Sequence, residues 1–310
     1  MIRDLKEALR SIRTNPGVAF IIIATLALAI GANTALFSVL NSVLLRPLPY
    51  PDPDELVVVW ENNLSQGIDE SEISRGNYTD FRDRSESFAG NLAAFRYEGN
   101  TLTGIDRPER LETVLVSPVL FQTLEVDALL GRTFIPSEEE PGNEKPVVLS
   151  YNYWVCRFGA EPQIVEQTIS LDSEPYTVIG VMPEGFEFPA GDPDVELWLP
   201  LTLNEQARAD RPHRMYNAIG RLADGVSLQQ AQSELGAIAA QLAVEFPATN
   251  EGWGVRLVPA KEQLLGDIGP TLWVLFAAVT FVLLIGCVNV ANVLVARSTN
   301  TAKDYVIRAA

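Results

Sequence analysis

Histidine and cysteine are nearly missing from this sequence, which has one histidine, His213, and two cysteines, Cys156 and Cys287. A zinc-type centre needs several such ligands at close spacing, so none is expected. Two cysteines this far apart, one of them inside an apolar run, make no disulfide scaffold, and any folded domain must rest on its hydrophobic core. The pattern G-x-x-x-x-G-K-[ST] is absent as well, which excludes ATP hydrolysis through a Walker site in this chain. No G-x-S-x-G elbow accompanies His213, so it reads as an exposed loop residue rather than a catalytic base. Glu138, Glu139 and Glu140 form a charge run without calcium-loop spacing and read as solvated surface. The expectation is therefore a protein that is not an enzyme, with no catalytic residue, no cofactor and no metal.

Charge is missing from two long stretches. Val18 to Leu45 and Thr271 to Ala296 contain no Asp, Glu, Lys or Arg. About 20 apolar residues suffice for a helix to cross a bilayer core, so both stretches predict transmembrane helices. A cleaved signal peptide is a poor fit to the first, because the apolar stretch is too long and continues past AIGA into LFSVLNSVLL. Arg3, Lys6, Arg10 and Arg13 precede the first run, and Arg297, Lys303 and Arg308 follow the second. Basic flanks place both termini in the cytoplasm and the middle outside it. These flanks hold seven of the 23 basic residues but only Asp4, Glu7 and Asp304 of the 40 acidic ones, so the middle is more acidic than the chain's net charge of -17. Such a surface excludes nucleic acid as a partner, since phosphates need cationic contacts.

The pattern divides the chain into five parts. Residues 1–15 place Ile2, Leu5, Leu9 and Ile12 at helical spacing, with Arg3, Lys6, Arg10 and Arg13 on the basic side. This is the pattern of an interfacial helix whose basic face meets anionic headgroups of membrane lipids. Asn15-Pro16-Gly17 breaks it, and residues 16–46 form the first span. Residues 47–268 are the extracytoplasmic domain, 269–297 the second span, and 298–310 the start of a cytoplasmic segment. In the first span Ala27, Gly31 and Ala35 form a small-xxx-small series, and Asn33 lies near the middle; Asn289 and Asn292 sit one turn apart in the second. Small residues let helices approach closely and amides can bond between them, so Ala27, Gly31, Asn33, Asn289 and Asn292 are candidates for helix packing.

Within the middle, a proline-dense exit (46–54) leads into strand LVVVW (56–60), and residues 61–77 read as a loop. Tyr78, Phe81, Phe88, Leu92 and Phe95 are spaced for a helix, with Gly90 as its point of break or kink. Strands are expected at 112–117, 147–150 and 196–201, a helix from SPVLFQTL, and a helix 151–158 ending at Gly159. Two strands flank a turn at Asp172-Ser173-Glu174. Residues 202–215 read as a loop; NAIGRL, a helix capped by Ser227 and ended by Pro247, and WGVRLVPA form a strand–helix–strand unit. The fold class expected is an α+β domain of two subdomains, with mixed short strands and helices, held between two transmembrane α-helices.

Six blocks carry a resemblance: IATLALAIGANTALFSVLNSVLLRPLPYPDPDELV, NYTDFRDRSESFAG, LFQTLEVDALLGRTF, YTVIGVMPEGFEFP, AIGRLADGVSLQQAQSEL and LIGCVNVANVLVARS. In this order they resemble the MacB/FtsX-type permeases of ABC transporters, in particular the duplicated permeases of acidobacteria and related soil bacteria. The resemblance covers nearly the whole chain. It implies a MacB-like periplasmic core domain in the bacterial inner membrane and an ABC ATPase subunit as partner. It also implies further permease helices or a second permease copy, and a periplasmic partner. ATP-driven closure of the partner would then move the periplasmic domain. Where the family has a stretch like REIAVRAALGA and continues, this sequence reads KDYVIRAA, so a fragment or truncated product is expected. The alternative is a membrane-anchored binding or sensing domain without an ATPase.

Overall fold

The computed structural model describes residues 16–40, 48–104, 107–142, 145–266, 274–288 and 290–292. The basic face Arg3, Lys6, Arg10 and Arg13, Asn289, and the segment 298–310 lie outside the described residues. The chain divides into two compact units, one of residues 1–46 and 265–310, the other Pro47–Leu264.

In the first unit, α1 (Pro16–Leu40) is a continuous helix of 25 residues without a charged side chain. Proline at its first position suits a helix start, where its missing N–H would be unpaired anyway. Its counterpart α9 (Val274–Asn292) is 19 residues long and apolar enough to cross a membrane, and nearly all of its surface is exposed. A helix apolar all round and uncovered is suited to lipid rather than to water.

In the second unit, alternating and β-branched runs give twelve strands: β1 (Leu56–Asn63), β2 (Ile68–Ser71), β3 (Ile73–Ser74), β4 (Leu92–Thr103), β5 (Glu109–Val116), β6 (Leu130–Gly131), β7 (Pro146–Leu149), β8 (Thr168–Leu171), β9 (Glu174–Val181), β10 (Leu197–Pro200), β11 (Arg214–Arg221) and β12 (Gly254–Pro259). Among the described residues nine of them follow one another in the order β12-β1-β11-β4-β5-β10-β7-β9-β6, while β2 pairs with β1, β3 with β11, and β8 with β4 and β9. The pairs β5–β10 and β7–β9 are parallel; the other pairs along this path are antiparallel. The helices are α2 (Arg75–Arg84), α3 (Leu120–Thr123), α4 (Tyr151–Phe158), α5 (Glu205–Ala209), α6 (Leu228–Glu245), α7 (Pro247–Asn250) and α8 (Ala260–Leu265).

Three apolar clusters organise this sheet into two lobes and a bridge. In the first lobe Tyr78 and Phe81 of α2 and Leu235 and Leu242 of α6 pack on Val57, Val59 and Ala218. In the second, Trp154 of α4 packs with Val147, Leu149, Val178 and Leu197. Between them Phe121, Phe188 and Trp198 gather with Leu48 and Tyr50. β4 belongs to both ends: it pairs with β11 through Leu92 to Phe95 and with β8 through Leu102 and Thr103.

The α+β expectation holds, with three local corrections. The stretch 61–77 is not a loop: β1 runs on to Asn63, β2 and β3 follow, and α2 starts at Arg75. The helical spacing of Tyr78 to Phe95 also misleads. α2 ends at Arg84, and Ala89 and Gly90 take positive φ of 46° and 86°, which turns the chain into β4. Leu92, Ala93 and Ala94 are all fully buried, so β4 shows no alternation there and reads like buried helix. α5 (Glu205–Ala209) likewise lies inside the expected loop 202–215.

Candidate functional site: the roots of the apolar helices

The first and last strands of the domain in chain order, which follow α1 and precede α9, are neighbours in its sheet. β1 begins at Leu56 and β12 ends at Pro259, and they pair antiparallel with Val57 opposite Pro259. The last residue of β11, Arg221, lies opposite Leu56 on the other side of β1. The strand ends that receive both connections therefore lie side by side at one end of three adjacent strands.

The incoming segment is pinned there. Leu48 and Tyr50 are buried, and the Tyr50 hydroxyl donates to the Glu187 carbonyl at 2.6 Å. Burial, with Glu187 nearby, pushes the Tyr50 phenol far up, so it stays a neutral donor. Arg221, with a side chain only 5% exposed, reaches across to the same segment. It donates to the carbonyls of Pro51 (2.9 Å), Asp52 (3.1 Å) and Thr123 (2.8 Å), and to Glu55 Oε2 at 3.3 Å. A guanidinium offers five donors in a fixed fork, so a single side chain ties the exit segment, α3 and the sheet together. Prolines 49, 51 and 53 supply no N–H, so this segment cannot pair as a regular strand, and Arg221 binds it through the carbonyls of Pro51 and Asp52. On the return side, Ala260 is buried and Trp60 Nε1 donates to Gln263 Oε1 of α8 at 3.0 Å.

The far end of β1 is held by charge. Glu61, 1% exposed, pairs with Arg214 Nε at 2.7 Å and accepts from Asn77 of α2. Asn77 also bonds Asn250 of α7 at 3.1 Å, and Arg211 pairs with Asp80 at 2.6 Å. Arg214 stacks 3.5 Å over Trp253, and Arg211 3.6 Å over Phe246. Burial raises the Glu61 carboxyl above its usual range, while Arg214 and Asn77 oppose that shift.

Of the residues expected to pack helices, Asn33 meets the other apolar helix: its Nδ2 donates to the Val279 carbonyl of α9 at 3.2 Å. Ala27 and Asn292 are exposed. Gly31 is exposed, and a Cβ added there would meet nothing within 4 Å among the described residues. His213 is exposed and bonds Asp210 at 2.8 Å. The charge run is paired with arginines: Glu138 with Arg132 at 2.8 Å, Glu139 with Arg82, and Glu140 with Arg208 at 3.3 Å. Cys156 and Cys287 are free. Among the described residues no group of His, Cys, Asp or Glu is placed to hold a metal ion. Reading the sequence missed Arg221, Tyr50 and Glu61. The signal available for Tyr50 was its place in a proline-dense segment joined to an apolar run.

Residues 19–238 match the family model of the MacB-like periplasmic core domain. Among solved structures, the periplasmic region of MacB from Actinobacillus actinomycetemcomitans is similar at 12% identity and a TM-score of 0.50, covering 72% of this chain and 95% of that one. A domain of a protein described as a permease from Porphyromonas gingivalis is similar at 15% identity and a TM-score of 0.50, covering 68% and 91%. The extracellular domain of the noncanonic ABC-type transporter YknZ from Gram-positive bacteria aligns at 14% identity with a TM-score of 0.46, covering 65% and 99%. At these identities the structural likeness speaks to fold. No curated protein matches.

Proposed function

The chain belongs to the MacB-like periplasmic core domain family of ABC-type permeases, and on that footing we propose that it couples a partner ATPase in the cytoplasm to movement of its periplasmic domain. Both apolar stretches act as membrane helices in this reading, with both termini in the cytoplasm. Ala27, Gly31, Asn33, Asn289 and Asn292 pack them against one another and against further permease helices or a second copy. The basic face Arg3, Lys6, Arg10 and Arg13 rests on anionic headgroups.

The observation that carries the reading is the pairing of the two roots. The two ends of the domain run into adjacent, hydrogen-bonded strands, and in this reading a displacement of either helix is passed to them. Arg221 and the buried Leu48 and Tyr50 leave little slack between the incoming segment and that sheet. A domain that only needed holding near a membrane would have no use for such stiffness.

Affinity capture of the complete gene product from native membranes tests the proposal. It should recover an ABC ATPase whose hydrolysis rate changes when the permease is present. Capture without any ATPase would sink it and leave an anchored binding domain. In the complete permease, Gly31→Leu should weaken in-membrane cross-linking between helices and lower transport; unchanged values of both would remove Gly31 from the packing set.

A further inference from the structure

The sheet of the first lobe has two faces. Val57, Val59 and Ala218 point into the cluster under α2 and α6. By alternation Val58 and Trp60 of β1, Asn217 and Ile219 of β11, and Phe95 and Tyr97 of β4 point the other way. Val58 stands opposite Ile219 and Phe95 opposite Asn217, so this second surface is continuous across three strands. It floors a cavity of about 270 Å³, walled by Leu48 and Tyr50 of the incoming segment, by residues 188–190 and by α8. No Asp, Glu, Lys, Arg or His lies in the described lining, in a chain of net charge -17. Five aromatic side chains do, and Phe95 and Phe188 meet edge to face with ring centres 4.9 Å apart. Such walls cannot replace the water an ion would lose, which excludes acids, ammonium groups and phosphates as occupants.

The polar groups of the lining supply a second, independent observation. Three are satisfied by the protein: the Tyr50 hydroxyl donates to the Glu187 carbonyl, Trp60 Nε1 donates to Gln263 Oε1, and the Tyr97 hydroxyl bonds Asp192, which lies outside the lining. Two are not. The half-buried Asn217 amide and Gln263 Nε2 have no partner among the described residues. The indole donor holds Gln263 with its oxygen toward Trp60, so the NH₂ group remains free to donate. Apolar and aromatic walls with a few unpaired polar groups are the make-up of a small-molecule pocket. Drug-sized ligands need upwards of about 300 Å³, so this cavity takes something smaller, of one or two rings. Aromatic walls favour a ring as occupant, through edge-to-face and offset contacts beyond simple burial.

We propose that this cavity binds a small neutral aromatic molecule carrying a hydrogen-bond acceptor, a carbonyl or a hydroxyl oxygen. Trp60, Phe95 and Phe188 receive its rings, and the amides of Asn217 and Gln263 receive its polar group. The site does not rest on the coupling role.

The whole chain in lipid nanodiscs, photolabelled with benzophenone, tests it, since this probe is a neutral diaryl ketone that inserts into nearby C–H bonds under ultraviolet light. Peptide mass spectrometry should find saturable labelling within residues 56–63, 92–103 or 186–191. Unlabelled 1-naphthol should compete at least about tenfold better than 1-naphthoate, whose charge the walls cannot compensate. Ala190→Trp, which fills the cavity from its wall, should abolish the saturable labelling. Asn217→Leu, close in size but without a hydrogen-bonding group, should weaken it several-fold. Val244→Trp, at an exposed position on α6 outside the lining, should change nothing and so controls for an added indole. Labelling that never saturates or stays within the apolar helices would overturn the proposal. So would 1-naphthoate competing as well as 1-naphthol, 1-decanol competing better than 1-naphthol, or equal losses in Ala190→Trp and Val244→Trp.

Discussion

In the first lobe a strand runs through Ser74 into α2; in the second, a strand runs through Ser150 into α4. Each serine hydroxyl accepts from the N–H three residues on, at 3.2 Å in both, and each helix then buries an aromatic side chain, Tyr78 or Trp154. Beyond this shared unit the lobes part. The first encloses Glu61, Asn77, Arg214 and Asn250 in a polar network behind its apolar core. The second is closed by aliphatic and aromatic contacts, and its ion pairs, such as Arg157 with Glu109, lie outside that core. Both helix connections arrive in the first lobe and the bridge, at the root end of β1. The lobe that receives the connections is thus the one whose strand β1 is fixed at both ends, by Arg221 and by Glu61. A buried ion pair adds little stability compared with a well-packed apolar replacement, but it fixes geometry. In the proposed coupling role, rigidity of this strand is a sufficient reason for it.

The comparison can be broken most severely in the first lobe. Glu61→Ala strands the buried Arg214 guanidinium and should cost about 3–5 kcal/mol in denaturant unfolding, whereas the pair Glu61→Leu with Arg214→Met should recover most of that loss. Full stability of the single variant would mean that the network is incidental. In the second lobe, Leu197→Ala leaves a cavity in an aliphatic cluster and should cost about 2–4 kcal/mol, with no second substitution elsewhere in the lobe restoring it. The shared cap gives a smaller effect, about 1 kcal/mol for Ser74→Ala or Ser150→Ala, and similar values for both would support the common unit.

The smallest effect concerns acid. Asp172, at the β8–β9 turn, accepts from Asn100 at 2.7 Å and from the Thr101 N–H at 2.9 Å, and these bonds hold its carboxyl below the usual range. In the first lobe burial pushes the Glu234 carboxyl up, but bonds from Ser87, Glu86 and Ser85 outweigh it and the net shift is down. A carboxyl depressed by folding adds stability above its ordinary range, and that contribution is lost as pH falls through the depressed value. Unfolding free energy followed from pH 6 to pH 2 should therefore drop less steeply in Asp172→Asn than in the parent protein. An identical slope would show that the turn does not feel this charge.

Much of this was legible in the sequence, and the gaps have physical causes. Where one signal dominates, reading succeeds: Ser227, the apolar positions Ala231, Leu235, Ile238 and Leu242, and Pro247 define α6, and Asp172-Ser173 marks the β8–β9 hairpin through two positive φ angles. It fails where burial is two-sided. Leu92-Ala93-Ala94 has no polar face, so its strand is indistinguishable from helix in a period count. The polar stretch 61–74 holds the end of β1 and β3 because partners distant in sequence, Val255, Arg214 and Tyr216, supply the pairing, and β2 then folds back on β1. Arg221 ends an ordinary-looking strand, NAIGR, and nothing local marks it as a clamp. Its four acceptors come from residues 51 to 123, which only the fold brings together.

The role of that clamp is open to one direct measurement in the complete permease with its ATPase: transport and ATP hydrolysis, recorded together for the parent and for Arg221→Lys. Lysine keeps the charge but cannot span carbonyls on two segments, and a thermal melt establishes that the variant is folded. If helix movement enters the domain through the pinned root, hydrolysis continues while transport per ATP falls sharply. A folded Arg221→Lys protein that transports as much per ATP as the parent would contradict the account.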